Sequence, residues 1–187
     1  MEKLRGGTSV EIPADGLRIN VGCGGRRIPG YIGIDAVERP AADLIAPADK
    51  IPLGDGCAVE VMAIHLVEHV YVWEVPDLLR EWHRLLKPGG LLVLEMPDLI
   101  KTCRNVIEGR VVGGKHPDQL TMWSLFGDPR DKDPYMNHKW CHTFKTLAPT
   151  VAEAGFIKIV ERQTQWHPAG REHRDFRLEA RKPEGVK

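Results

Sequence analysis

"LRINVGCGGRRIPGYIGID", residues 17–35, sets a glycine knot, Gly22-Cys23-Gly24-Gly25, between two apolar runs. Leu17 to Val21 alternates into a short strand that feeds straight into the glycines, and Tyr31 to Asp35 reads as a second strand ending on an acid. Only nine residues, Gly22 to Gly30, separate the runs, which hardly leaves room for a full crossover helix. Two arrangements fit: a hairpin with a glycine-rich turn, or a parallel crossover reduced to a loop. They differ in consequence. A hairpin puts Asp35 at the far end of the sheet from the glycines, whereas a parallel pair brings both to the carboxyl edge, where open α/β sheets bind ligands.

The residues that follow favour the sheet. Asp43 to Ala46 reads as a brief third strand and Val59 to Ile64, after the turn residues 52–56, as a fourth. Val75, Leu78, Leu79, Trp82, Leu85 and Leu86 then form one apolar stripe at helical spacing, with Pro76 in the first turn and Lys87-Pro88-Gly89-Gly90 as the stop. Leu91 to Met96 is nearly all apolar, as a strand covered on both faces should be. Asp98 can cap a helix running to Glu108, whose Leu99, Cys103, Val106 and Ile107 share a face.

Residues 109–143 lose this rhythm and read as a loop-rich insertion, the signature of a binding lid. A short helix is expected from Thr146 to Ala154, with Pro149 in its first turn, and strands at Ile157 to Gln163 and Asp175 to Arg181. These last two are joined too closely for a parallel crossover and should pair antiparallel. The expected fold is α/β: a Rossmann-like, mostly parallel sheet with an antiparallel final strand and reduced helices after the first two strands. Residues 1–187 are expected to form one domain.

Composition sets limits. Basic and acidic residues balance at 26 each, so the basic excess typical of nucleic-acid binders is missing. No apolar run approaches the roughly 20 residues that span a bilayer, and the start MEKLRGGTSVEIP lacks a signal-peptide core. A cytoplasmic, reducing setting is the expectation. His138, Cys141 and His142 cluster in sequence, with Cys103 or His116 as fourth-ligand candidates. Spacing alone is a loose filter, so the reading is polar loop residues and no metal.

Four stretches in order, "INVGCGG", "GYIGID", "HLVEH" and "LLKPGGLLVLEMPD", resemble the class I S-adenosylmethionine-dependent methyltransferases, over residues 17–100 most strongly and 138–182 more weakly. The likeness is closest to a small branch often found with sugar and polysaccharide metabolism. The resemblance implies S-adenosylmethionine as cofactor and a trimmed parallel crossover at the opening stretch. It further implies methyl transfer to a hydroxyl or amine of a small molecule or glycan. An NAD site would want a third glycine where Arg27 stands and an acid about 20 residues on, whereas Asp35 lies thirteen after Gly22.

Residue by residue, Gly22 and Gly24 leave bare main chain, around Cys23, for the cofactor's methionine and ribose. Asn20 would meet the methionyl ammonium where many relatives carry an acid. Asp35 would accept both ribose hydroxyls, and Asp49 stands near the position of the adenine acid. His65 falls near the methionine end. His69 could serve as general base, since imidazole titrates near neutral pH, or could simply hold a turn with Glu68. Asp98 is likewise either a cap or a substrate contact. His138 matches a histidine found in this branch before the last helix; it is the second candidate, beside His69, for a catalytic base that removes the acceptor's proton, and with Tyr135 and His142 could face an acceptor. The neutral Asn20, the displaced adenine acid and Ala58-Val59 in place of Phe-Asp leave an alternative: a catalytically inactive cofactor-binding module.

Overall fold

The computed structural model describes residues 2–3, 9–10, 13–110, 117–128, 132–166 and 173–185. Strand β1 (Leu17–Val21) pairs parallel with β2 (Ile32–Asp35), Ile19 opposite Ile32 and Val21 opposite Ile34. The opening stretch is thus a trimmed crossover. Strand β3 (Leu44–Ile45) continues the parallel set beyond β2, and β4 (Ala58–Ile64) and β5 (Leu86–Pro97) extend it on the other side of β1. The chain closes with β6 (Ile157–Arg162) and β7 (Asp175–Arg181), both antiparallel to their neighbours, in the spatial order β3-β2-β1-β4-β5-β7-β6. Two short segments, Glu2–Lys3 and Ser9–Val10, form a separate antiparallel ribbon.

No helix lies between β1 and β2 or between β2 and β3. Compensation for the shortened second connection is visible at Gly33. A Cβ there would stand 2.1 Å from the Ala41 carbonyl, so only glycine lets the returning chain cross so close. Asp43 ties the crossing by accepting the Gly33 N–H at 2.9 Å and donating its own N–H to the Gly33 carbonyl.

Helix α1 (Val75–Leu85) buries the expected stripe, with Trp82 and Leu79 fully enclosed. It also braces the helix-free segment before β4. Trp82 Nε1 donates to the Ala48 carbonyl at 2.9 Å, Glu81 accepts the Ile51 N–H at 2.7 Å, and Arg84 donates to the carbonyls of Ile51 and Leu53. Helix α4 (Phe144–Glu153) packs beside α1 on the same face, over Ile19, Val21, Val61, Leu92 and Leu94. The opposite face carries a smaller cluster of Ile28, Met62 and Val93, closed by Tyr31 and Trp166.

Three sequence expectations change. Helix α2 (Leu99–Ile107) is capped by Asp98 as read, its side chain accepting the Lys101 N–H at 2.8 Å, but it buries Thr102 and Asn105 rather than the apolar set. Asn105 donates to the His173 carbonyl, so the helix docks on a polar loop, and Val106 and Ile107 face solvent. The insertion is less loop-rich than expected, because Pro117–Phe126 forms helix α3. Thr143 and Thr146 make a reciprocal capping box that starts α4 at Phe144, leaving Pro149 inside the helix instead of in its first turn. Among the described residues no helix is long and apolar enough to cross a membrane.

Candidate active site

A cleft of about 660 Å³ opens at the carboxyl ends of β1, β2 and β4. Its floor is the glycine knot. Gly22 and Gly24 have φ of 69° and 55°, values that favour glycine, and a Cβ on Gly24 would meet nothing within 4 Å. Main chain at Gly24 is therefore open to a ligand. Asp35, at the end of β2, faces the same space. Its Oδ2 accepts the Gly24 N–H at 2.9 Å and its Oδ1 the Val37 N–H at 3.2 Å, leaving lone pairs on both oxygens for further donors.

One wall is Ala46 to Asp49, the segment that Trp82 holds. Another comes from the first turn of α1, where Glu74 and Asp77 line the cleft, and from Leu66, His69 and Val70 after β4. Tyr135 and Met136 close the top from the insertion. That segment is fastened to the loop after β2 by an ion pair, Arg39 Nη2 to Asp133 Oδ2 at 3.0 Å. It is fastened below by Lys139 and Trp140, whose N–H groups donate to the Glu68 carbonyl.

His65 sits where β4 ends, with φ of 52°. Its Nδ1 bonds Glu68 Oε1 at 2.7 Å and its Nε2 lies 3.3 Å from Asp175 Oδ2, while Arg174 clamps the Asp175 carboxylate. Burial alone would push the imidazole toward its neutral form. The Glu68 and Asp175 carboxylates outweigh burial and lift its pKa to about 9. Burial likewise penalises the Glu68 carboxylate, yet His65 overrides this and draws it down to about 2; Asp175 is depressed for the same reason.

Behind His69 lies His138, the two rings edge to face with centroids 4.7 Å apart. His138 Nδ1 meets the Ser124 carbonyl at 3.1 Å and His69 Nδ1 the Asn137 carbonyl at 3.3 Å. Burial keeps the His138 pKa below the usual histidine value, with Glu68 pulling the other way.

Of the residues singled out in the sequence, Gly22, Gly24, Asp35, Asp49, His65 and His69 line the cleft, as does Tyr135. Asn20, Cys23 and His138 do not. Asn20 is in register with Met62 and points to the sheet face opposite Ile19 and Val21. The Cys23 side chain packs with Ala41 and Ala42, and burial raises its thiol to about 11. Cys141 turns to the Leu125 carbonyl and His142 is buried, and among the described residues neither joins a group at metal-ligand spacing; His116 lies outside the described residues. Arg39, Glu74, Asp77 and Met136 escaped the sequence reading. The α1 acids stood in plain view as the polar positions of its first turn, whereas Arg39 and Asp133 are 94 positions apart and carry no local signal.

Residues 31–94 match a family described as a methyltransferase domain. Phosphoethanolamine N-methyltransferase 2 of Haemonchus contortus, solved with phosphomonomethylethanolamine and S-adenosylhomocysteine, superposes with a TM-score of 0.55 at 12% identity over 90% of this chain and 50% of that one. This chain spans about half the length of that enzyme. An S-adenosylmethionine-dependent methyltransferase of Archaeoglobus fulgidus gives 0.57 at 17% identity, covering 90% and 87%. One from Thermotoga maritima gives 0.58 at 16%, covering 89% and 82%. The fold is that of a class I methyltransferase. No curated protein matches the sequence. The family match covers residues 31–94 and the solved structures share the fold; neither lends anything to the sugar-metabolism branch.

Proposed function

We propose that this chain binds S-adenosylmethionine in the cleft and transfers its methyl group to a hydroxyl or amine of a small molecule or glycan. The observation that carries the reading is the pairing of bare main chain at Gly24 with the Asp35 carboxylate across parallel strand ends. Such a pair fits an adenosyl ligand: the carboxylate accepts two vicinal hydroxyls, and the glycine leaves room for them. Asp49, on the exposed rim, is suited to an adenine amino group, and the wall from Ala46 to Ala48 to the base itself. His65 borders the methionine end, its ring held fixed by Glu68 and Asp175.

When bound, the cofactor supplies an electrophilic methyl group on a sulfonium, so that a C–O or C–N bond forms as the C–S bond breaks. The protein's part is alignment and exclusion of water. Tyr135 and Met136 cover the cleft on the acceptor side, and Arg39 with Asp133 holds them down. His69 is the imidazole that meets an acceptor, able to take its proton, with His138 packed against it as support.

Calorimetry with S-adenosylmethionine and S-adenosylhomocysteine tests the cofactor directly, and Asp35→Ala should weaken both. Transfer of labelled methyl to a panel of small alcohols, amines and glycans then tests the reaction. Absence of binding by either ligand would end the proposal.

A further inference from the structure

We infer that Glu68, His69 and His138 form a binding site for a divalent first-row transition cation, of the zinc and cobalt type, at the acceptor end of the cleft. One ligand atom from each of the three lies within 4.8 Å of the other two. A zinc ion with nitrogen and oxygen ligands at about 2.1 Å would hold them roughly 3.4 Å apart. Small inward rotations therefore bring all three ligand atoms onto one ion.

The strongest sign is on the carboxylate. Glu68 is 2% exposed, and while Oε1 is bonded to His65, Oε2 is buried with no hydrogen-bond partner among the described residues. An ionised oxygen left bare in that way is costly unless something positive meets it. Each imidazole is anchored through its Nδ1. His138 Nδ1–H donates to the Ser124 carbonyl and His69 Nδ1–H to the Asn137 carbonyl, which fixes the tautomer with a bare Nε2 on both rings. Glu68 has its own outer partner in His65. Three ligands, each steered by a second group, is how proteins prepare metal sites.

Two histidines and one glutamate leave coordination positions open, the pattern of reactive rather than structural sites. His69 lines the cleft, which places one of the three ligands within reach of an incoming acceptor. An oxygen-bearing acceptor, hydroxyl or carboxylate, would take one of the open positions; with Nε2 on the cation His69 positions the ion, and the proton of a coordinated hydroxyl passes to solvent in place of the direct transfer to His69 proposed for the cation-free site. The role assigned to the cation rests on the methyl-transfer reading; its binding does not.

Titration of the full chain with cobalt(II) tests the site. One equivalent should bind with a visible ligand-field spectrum and be displaced by zinc. His69→Ala and His138→Ala should each weaken cobalt binding by well over about 100-fold, above the 10–100-fold range typical of outer-shell losses. His138→Gln serves if the alanine variant loses its far-ultraviolet circular dichroism. No ligand-field spectrum, or folded variants that bind cobalt like the parent, would overturn the site. S-adenosylhomocysteine calorimetry on the same sample separates the two readings. Cobalt without the nucleoside keeps the cation site and removes methyl transfer; the nucleoside without cobalt does the reverse.

Discussion

The Asp35 carboxylate accepts the Gly24 N–H at 2.9 Å, joining the end of β2 to the loop after β1 across the mouth of the cleft. One side chain therefore shapes the glycine loop and presents charge to a ligand. Asp35→Ala should weaken S-adenosylhomocysteine binding by about 1–3 kcal/mol, from lost charge-assisted bonds. Asp35→Asn should fall between, since the amide oxygen can still accept the Gly24 N–H. Calorimetry on the three proteins gives the order, and equal affinities would remove Asp35 from the site.

Gly22 and Gly24 should fail differently when a methyl group is added. At Gly22 a Cβ would approach Leu66 at 3.0 Å with φ at 69°, so Gly22→Ala is both strained and crowded. Gly24→Ala meets no protein atom and carries only the backbone penalty, about 1 kcal/mol. Denaturant unfolding should show the larger stability loss at position 22. Calorimetry should show Gly24→Ala losing affinity out of proportion to its stability, because its methyl group points into ligand space.

These two strand ends were legible because the needed features are local: alternation, glycines and an acid within nineteen residues. Helix α1 was equally plain, its stripe from Val75 to Leu85 being continuous in sequence. Helix α2 misled, because Val106 and Ile107 fall on a helical period although the fold offers Thr102 and Asn105 to the neighbouring loop. Periodicity reports which face could be buried, and the partner decides which face is. The convergence of His138 on Glu68 was illegible for a related reason. It depends on Lys139 and Trp140 docking on the Glu68 carbonyl, a contact between segments 70 residues apart that no local pattern encodes.

The clasp between Arg39 and Asp133 should matter to ligand residence more than to stability. Both side chains are about 30% exposed, and such pairs contribute well under 1 kcal/mol once solvent screening is counted. Arg39→Ala should leave the thermal midpoint nearly unchanged while raising the dissociation rate of bound S-adenosylhomocysteine by severalfold, because Tyr135 and Met136 lose one of their ties. Stopped-flow displacement measures that rate. Asp133→Asn, whose amide oxygen can still accept the Tyr135 N–H, should raise the rate likewise, which a role for Arg39 in ligand contact alone would not allow.

Tyr31 supplies a test of the sheet face opposite α1 and α4. Its hydroxyl donates to Glu60 Oε1 at 2.6 Å and its ring meets Trp166 edge to face. Burial, then the Glu60 carboxylate, pushes the phenol up to about 12 from an ordinary value of 10.0. The folded protein thus holds the proton more tightly than the unfolded chain. That stabilisation is fully present below pH 10 and is lost as pH rises toward 12, because the unfolded phenol ionises first. Tyr31→Phe should cost about 1 kcal/mol at neutral pH, the worth of the hydrogen bond. Above pH 10 the parent should lose its advantage over the variant, since phenylalanine has no proton to lose. Urea unfolding of both proteins at pH 8 and pH 11 checks the sign, and a difference that grows with pH would contradict the buried, hydrogen-bonded phenol.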